Sequence, residues 1–167
     1  MAGKSTSARE TLDVKAHILI IESRYYEQVA HALLEGALAE LAASGATYDK
    51  INVPGALEIP QALAQAIASG LLPADASGAR YDGAIVLGCV IRGETSHYDI
   101  VVNNANHWLM ELAIRNNVPV GNAILTVDTE AQAMARARGV RKGKGADAVR
   151  ACLSLVQISR VFEEIEE

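Results

Sequence analysis

The chain has 167 residues, half of them hydrophobic, which is enough for one domain with a sizeable core. A net charge of −5 supplies no electrostatic footprint for nucleic acid, and no run is long and apolar enough to span a membrane. Aromatics make up only 4%, so Ala, Val, Leu and Ile must fill the interior, as in α/β proteins with buried parallel strands. Cys89 and Cys152 lie far apart with no metal-type spacing and read as core thiols of a reducing compartment. Residues 1–14 are polar, mixed in charge and without a secretory apolar segment. They are expected to form a disordered arm, or an edge segment that orders on a neighbouring subunit, in a cytoplasmic protein.

His17 to Ile21 is the first strand, apolar enough to be buried on both faces, and Glu22 to Tyr26 is its polar turn. Val29, Leu33, Leu34, Ala37, Leu38 and Leu41 recur at helical spacing until Ser44-Gly45 stops the helix. Tyr48 to Val53 is a second strand, and Pro54 to Glu58 the next turn. Ile59, Leu63, Ala66 and Ile67 mark a second helix with Pro60 tolerated in its first turn. Gly70 to Arg80 is a loop. Ala84 to Val90 is a third strand, and the turn around Gly93 leads into a helix. That helix is expected to bury Val101, Val102, Ala105, Trp108, Leu109, Leu112 and Ala113, with Asn103, Asn104, Asn106 and His107 opposite. Val118 to Val127 is a fourth strand, expected to break at Gly121-Asn122. A short helix from Thr129 to about Arg138, a basic glycine-rich loop to Gly145 and a last helix to about Phe162 follow, with Glu163 to Glu167 as a solvated acidic tail. Alternating strands and helices imply a three-layer αβα sandwich around a flavodoxin-like four-stranded parallel sheet, a single domain over residues 15–162. Its two sheet edges invite pairing with another chain.

Ligands of open parallel sheets sit outside the carboxyl ends of the strands. Four turns are expected on that rim, supplying Tyr25, Ala56 to Glu58, Cys89 to His97, and Asn122. Gly93 would let backbone approach a phosphate, Thr95 or Ser96 could cap the helix and bond the same anion, and His97 would move protons beside it. Together these suit a planar, polyhydroxylated ligand plus a phosphate. Each residue also has a plain structural reading: Tyr25 covering the sheet top, Glu58 complementing a helix dipole, His97 capping a helix at the surface. His17, His31 and His107 read as structural or solvated. Arg136, Arg138, Arg141, Lys142 and Lys144 form either a solvated basic loop or an anion clamp. No Walker pattern and no G-x-G-x-x-G after the first strand is present, which argues against a nucleotide triphosphatase or a dinucleotide enzyme.

Val53 to Pro60 (VPGALEIP), Leu87 to Asp99 (LGCVIRGETSHYD), Leu125-Thr126, Arg136 and Lys144-Gly145 resemble the lumazine synthase family of riboflavin biosynthesis. The resemblance runs from about Ile18 to Leu155, and its first two motifs are long and family-specific. It implies condensation of 5-amino-6-ribitylaminouracil with 3,4-dihydroxy-2-butanone 4-phosphate, giving 6,7-dimethyl-8-ribityllumazine, phosphate and water, with no metal or organic cofactor. On this resemblance Tyr25 stacks on the pyrimidine. Ala56, Leu57 and Glu58 bind the ribityl chain and ring, and the backbone of Cys89, Val90 and Ile91 reads the pyrimidine edge. Glu94 and Thr95 hold the butanone phosphate, Arg136 clamps it, Lys144 stands near, and His97 transfers protons.

Two positions depart from the family pattern. Leu57 stands where phenylalanine is usual. Asn122 stands where an aromatic often packs on the ring from the adjacent subunit; asparagine can hydrogen-bond but cannot stack, so weaker pyrimidine binding is expected. The resemblance also implies a homopentamer with sites at subunit interfaces, whose wet channel would suit Asn103, Asn106 and His107. Arg138-Gly139-Val140-Arg141 differs from the form associated with larger shells, so an isolated pentamer is expected. A non-catalytic lumazine- or flavin-binding relative is the alternative reading. A generic flavodoxin-like FMN protein fits less well, because the first strand lacks a Ser/Thr-rich phosphate loop.

Overall fold

The computed structural model describes residues 10–166. Its elements run β1 (His17–Ser23), α1 (Glu27–Ala43), β2 (Thr47–Val53), α2 (Glu58–Ala68), β3 (Gly83–Ile91), α3 (His97–Arg115), β4 (Val120–Val127), α4 (Glu130–Ala137), a 3-10 turn (Val140–Lys142) and α5 (Lys144–Glu166). The four strands are parallel in the order β2-β1-β3-β4, the flavodoxin-like arrangement.

Strand alternation sorts the core into two layers. Ile18, Ile20, Ile85, Leu87, Leu125 and Val127 face α1, α4 and α5. Leu19, Ile21, Ala84, Val86 and Ile124 face α2 and α3. Both faces of the central strands are covered, so β1 and β3 read as near-continuous apolar runs, whereas the edge strand β2 is mostly exposed and mixed in composition. Ile18, Ile20 and Ile85 are fully buried; each contributes about 1.5–3 kcal/mol of burial relative to an exposed position. Helix α5 lies directly on β4, because a Cβ on Gly121 would sit 1.9 Å from the Ala148 carbonyl oxygen. A Cβ on Gly145 would likewise meet the Leu33 carbonyl oxygen of α1 at 2.0 Å. These two glycines set how close the α1–α5–β4 layers come.

The structure moves several expected boundaries. Glu22 and Ser23 belong to β1 and are buried, not part of a polar turn. Glu22 is tolerated there because Lys50 Nζ donates to it at 2.7 Å and Arg24 at 3.2 Å. Strand β4 starts at Val120 and runs unbroken through Gly121 and Asn122. Trp108 does not join the buried stripe of α3; it is 51% exposed and meets His107 edge-on at 5.1 Å. It follows Ala105 by three residues and lies on the rim of that stripe, where a large indole turns outward. The residues expected as an acidic tail continue α5 to Glu166. Residues 1–9 of the expected arm lie outside the described residues, and Val14 is buried with its amide donating to the Ser44 carbonyl at 3.2 Å. The expected stop of the first helix holds, with Gly45 in the left-handed region at φ 73°. Cys152 is fully buried, as the core-thiol reading expects, whereas Cys89 is only partly buried near the end of β3.

Candidate active site

The register puts the ends of β1 and β2 level, Ser23 against Val53, while β3 runs on beside β4 to Ile91 against Val127. The connections that leave these ends therefore share one rim. Tyr25 follows β1 and is 74% exposed, with its ring edge-on to Tyr26 at 5.0 Å. Ala56 is buried beneath the turn after β2 and Leu57 packs beside it on the α2–α3 side. Glu58 opens α2, with its amide donating to the Gly55 carbonyl at 3.2 Å. Its carboxylate folds back over that turn, since a Cβ on Gly55 would meet Glu58 Oε2 at 3.0 Å. An acid in the first turn also complements the helix dipole.

Alternation continues to the end of β3. The Cys89 and Ile91 side chains pack toward Tyr26 and Met134, and Val90 turns to the α2–α3 side. Burial pushes the Cys89 thiol up to about 11, so it is no ready nucleophile at neutral pH. Burial likewise pushes the Cys152 thiol up to about 12, and its Sγ lies 3.6 Å from the Pro119 carbonyl oxygen. Beyond β3, residues 92 to 96 form the exposed turn into α3. Helix α3 begins at His97 with no side-chain cap from Ser96; the Thr95 hydroxyl instead accepts from the His97 amide at 3.3 Å. A Cβ on Gly93 would meet nothing within 4 Å. This glycine is thus not required by local packing, and open space lies over the turn.

The remaining expected residues are elsewhere in the chain. Asn122 is not at the carboxyl end of β4 but near its start, paired with Val86. Its Nδ2 donates to Asn106 Oδ1 of α3 at 2.9 Å, and its Oδ1 accepts from the Ile124 amide at 2.8 Å. Arg136 is exposed in the last turn of α4, with Nη1 donating to the Gln132 carbonyl at 3.0 Å. Lys144 opens α5 and lies 3.4 Å from Asp147. Arg141 is taken out of any clamp: together with Arg150 it binds the buried Glu40, at 2.9 and 3.0 Å. Periodicity did not reveal Glu40, which sits among leucines and alanines of α1; its signal was a lone acid on an otherwise apolar face.

In the sequence Arg92 is one residue of the motif Leu87 to Asp99. Its Nε donates to Asp128 Oδ1 at 2.9 Å, its Nη1 lies 3.7 Å from Asp99 Oδ1, and its guanidinium stands over the Tyr98 ring at 4.1 Å from the centroid. A cation one residue past a buried strand, with two acids and a tyrosine near the same turns, was the available signal.

A groove of about 660 Å³ lies away from this rim, between the last turns of α3 and α5, lined among others by Met110, Ile114, Leu155 and Phe162. A second depression, of about 550 Å³, runs along α1 beside Arg24, His31, Met134 and Arg138. Neither is lined by Tyr25, Glu58, Thr95 or His97. Chemically, the rim offers an exposed aromatic face, a carboxylate acceptor, a helix N-terminus with a hydroxyl, and an imidazole. Among the described residues, no group of three or more His, Cys, Asp or Glu is placed to hold a metal ion.

The family model described as 6,7-dimethyl-8-ribityllumazine synthase matches residues 15–160. The chain is 51% identical over 146 residues to the 6,7-dimethyl-8-ribityllumazine synthase of Agrobacterium fabrum, covering 87% of this chain and 96% of that one. It is 52% identical over 145 residues to 6,7-dimethyl-8-ribityllumazine synthase 1 of Rhodopseudomonas palustris, covering 87% of this chain and 86% of that one. Against the corresponding protein of Nitrobacter hamburgensis it is 50% identical over 145 residues, with 87% and 86% covered. With the motifs on the carboxyl rim and the sheet order both in agreement, the chain belongs to the 6,7-dimethyl-8-ribityllumazine synthase family.

Proposed function

We propose that the protein condenses 5-amino-6-ribitylaminouracil with 3,4-dihydroxy-2-butanone 4-phosphate to give 6,7-dimethyl-8-ribityllumazine, phosphate and water. The observation that carries this reading is that Tyr25, Ala56 to Glu58 and Cys89 to His97 leave three adjacent parallel strands on one rim. Tyr25 stacks on the pyrimidine. Ala56, Leu57 and Glu58 bind the ribityl chain, and the backbone of Cys89, Val90 and Ile91 meets the ring edge. Glu94, Thr95, Arg136 and Lys144 hold the phosphate.

The chemistry asks for protons at one place and anion stabilisation at another. The pyrimidine amine adds to the butanone carbonyl, and water leaves as the imine forms. A proton then leaves the neighbouring carbon as the C–O bond to phosphate breaks. The resulting enol becomes a ketone, and the ribityl-bearing nitrogen closes the ring with loss of a second water. His97, exposed at the start of α3, carries these protons as general base and acid. The α3 N-terminus with Thr95, joined by Arg136, steadies the departing phosphate. Holding two small reactants in register supplies much of the rate. No cofactor takes part.

We further infer a homopentamer that completes the site, with Asn122 reaching the pocket of a neighbouring copy. Asn122 lies near the start of β4, away from the rim turns of its own chain. Ile100, Trp108 and Ile114 leave apolar area on α3 at 54%, 51% and 68% exposure, the kind of surface that subunit contacts cover. Among the described residues no helix is long and apolar enough to cross a membrane. Light scattering is expected to give five times the 17.7 kDa chain mass; a particle many times heavier overturns the isolated pentamer. Mixing both substrates with the protein and following lumazine fluorescence tests the reaction. Tight lumazine binding without turnover would instead identify a carrier.

A further inference from the structure

We propose that Arg92 is a positioning residue that sets affinity for the phosphate-bearing substrate, by fixing and neutralising Asp99 and Asp128 beside the turn that carries Glu94, Thr95 and His97. The inference rests on the reading of that turn as the phosphate cradle.

Arg92 touches all three elements that meet there. Its amide donates to the Val127 carbonyl at the end of β4, at 2.9 Å. Its Nε donates to Asp128 in the β4–α4 turn at 2.9 Å. Its Nη1 faces Asp99 in the first turn of α3 at 3.7 Å. The Tyr98 ring lies beneath the guanidinium at 4.1 Å, which limits the side chain to one plane. Residues 92 and 98–99 thereby bracket Glu94 to His97 from both sides.

The charges make this more than a brace. Between residues 92 and 99 the acids are Glu94 and Asp99, and Arg92 is the one permanent cation. Asp128 and Glu130 add two carboxylates from the next turn. Without Arg92, a phosphate dianion at the α3 N-terminus would approach a cluster of uncompensated carboxylates. Like charges in such juxtaposition weaken binding and slow association. Arg92 itself is half exposed and already engaged, so it acts through Asp99 and Asp128 and not by gripping the phosphate.

The test uses the intact assembled protein. Arg92→Gln is expected to raise KM for 3,4-dihydroxy-2-butanone 4-phosphate about tenfold, with the pyrimidine KM within about twofold and kcat within about threefold. Inorganic phosphate as a competitive probe should weaken in parallel. Arg92→Lys keeps the charge and is expected to recover most of the affinity. The decisive variant is Arg92→Gln combined with Asp99→Asn and Asp128→Asn, which removes the carboxylates that Arg92 answers; phosphate affinity should return to within about threefold of wild type. A triple variant as weak as Arg92→Gln alone overturns the inference, as does an unchanged KM in Arg92→Gln. Thr95→Val separates this from the site reading. Lost phosphate affinity in Thr95→Val alone removes only the role of Arg92, whereas no loss in either variant removes both.

Discussion

At the amino ends of the strands the polar side chains are bonded to one another. His17 Nδ1 is 2.7 Å from Thr47 Oγ1 and its Nε2 is 3.2 Å from Asp49 Oδ2. Tyr81 and Arg80 donate to the same oxygen at 2.9 and 3.0 Å, and His17 stacks on Tyr81 at 5.3 Å. At the carboxyl ends Tyr25, Thr95 and His97 stand exposed, and the bond from the His97 amide to the Thr95 hydroxyl is a long one. The residue types are alike at both ends: histidine, threonine, tyrosine, acid. One end uses them to clasp β1, β2 and the loop before β3. The other leaves them open toward what binds. A hydroxyl–imidazole–carboxylate run such as Thr47–His17–Asp49 is thus a structural device here, with its acceptor saturated by Tyr81 and Arg80. Partner saturation separates a clasp from a site more surely than residue type does.

The contrast can be broken from either end. The largest effect is expected near the start of β4, where Gly121→Val would push a side chain into the Ala148 carbonyl. A loss of about 3 kcal/mol in urea-derived stability is expected; a change within 0.5 kcal/mol would show that α5 does not rest on β4 as described. Next is His97→Gln at the open end. It should lower kcat about a hundredfold while the thermal midpoint stays near that of wild type, because His97 is exposed. A fall in stability in place of rate would make it a capping residue.

Asp49 tests the clasp. The hydrogen bond from Tyr81, then that from His17, holds its carboxyl below the usual carboxylate range. A depressed folded value means that the stabilisation is fully present above the unfolded value of about 3.9 and is lost as pH falls through the folded one. Asp49→Asn should therefore melt below wild type at pH 7, and the two melting curves should converge under acid. A gap that is constant with pH would contradict this. Turnover at pH 7 should be unaffected, since the clasp is at the far end from the rim. The smallest effect is expected at Asn122. Asn122→Phe should lower the pyrimidine KM by a few-fold, through stacking worth about 0.5–1.5 kcal/mol. An unchanged or higher value would leave Asn122 as the partner of Asn106 alone.

The parallel sheet was legible because each buried strand is an apolar run followed by helical spacing, and local periodicity survives without tertiary knowledge. The rim was legible because turns at strand ends carry polar residues that neither period explains. Three things were not. Glu22 looked like a turn residue, because only the approach of Lys50 from β2 and of Arg24 makes its burial affordable. Gly121-Asn122 looked like a strand break, because a glycine demanded by an overlying helix is indistinguishable in sequence from one demanded by a turn. Trp108 looked buried, because spacing fixes the angle of a residue around a helix but not whether a neighbour covers that angle.

The amino-acid order alone determined the succession of elements, the two-faced burial of β1 and β3, and the turns after β1, β2 and β3 that form the carboxyl rim, though not the place of Asn122, since these follow from periods of two and 3.6 and from parallel connection. Only the tertiary structure decided which polar groups are spent on one another. Glu40 with Arg141 and Arg150, Asp49 with His17 and Tyr81, and Arg92 with Asp99 and Asp128 pair residues from different turns or elements. Such pairing depends on which elements come to lie side by side, and no local pattern encodes it.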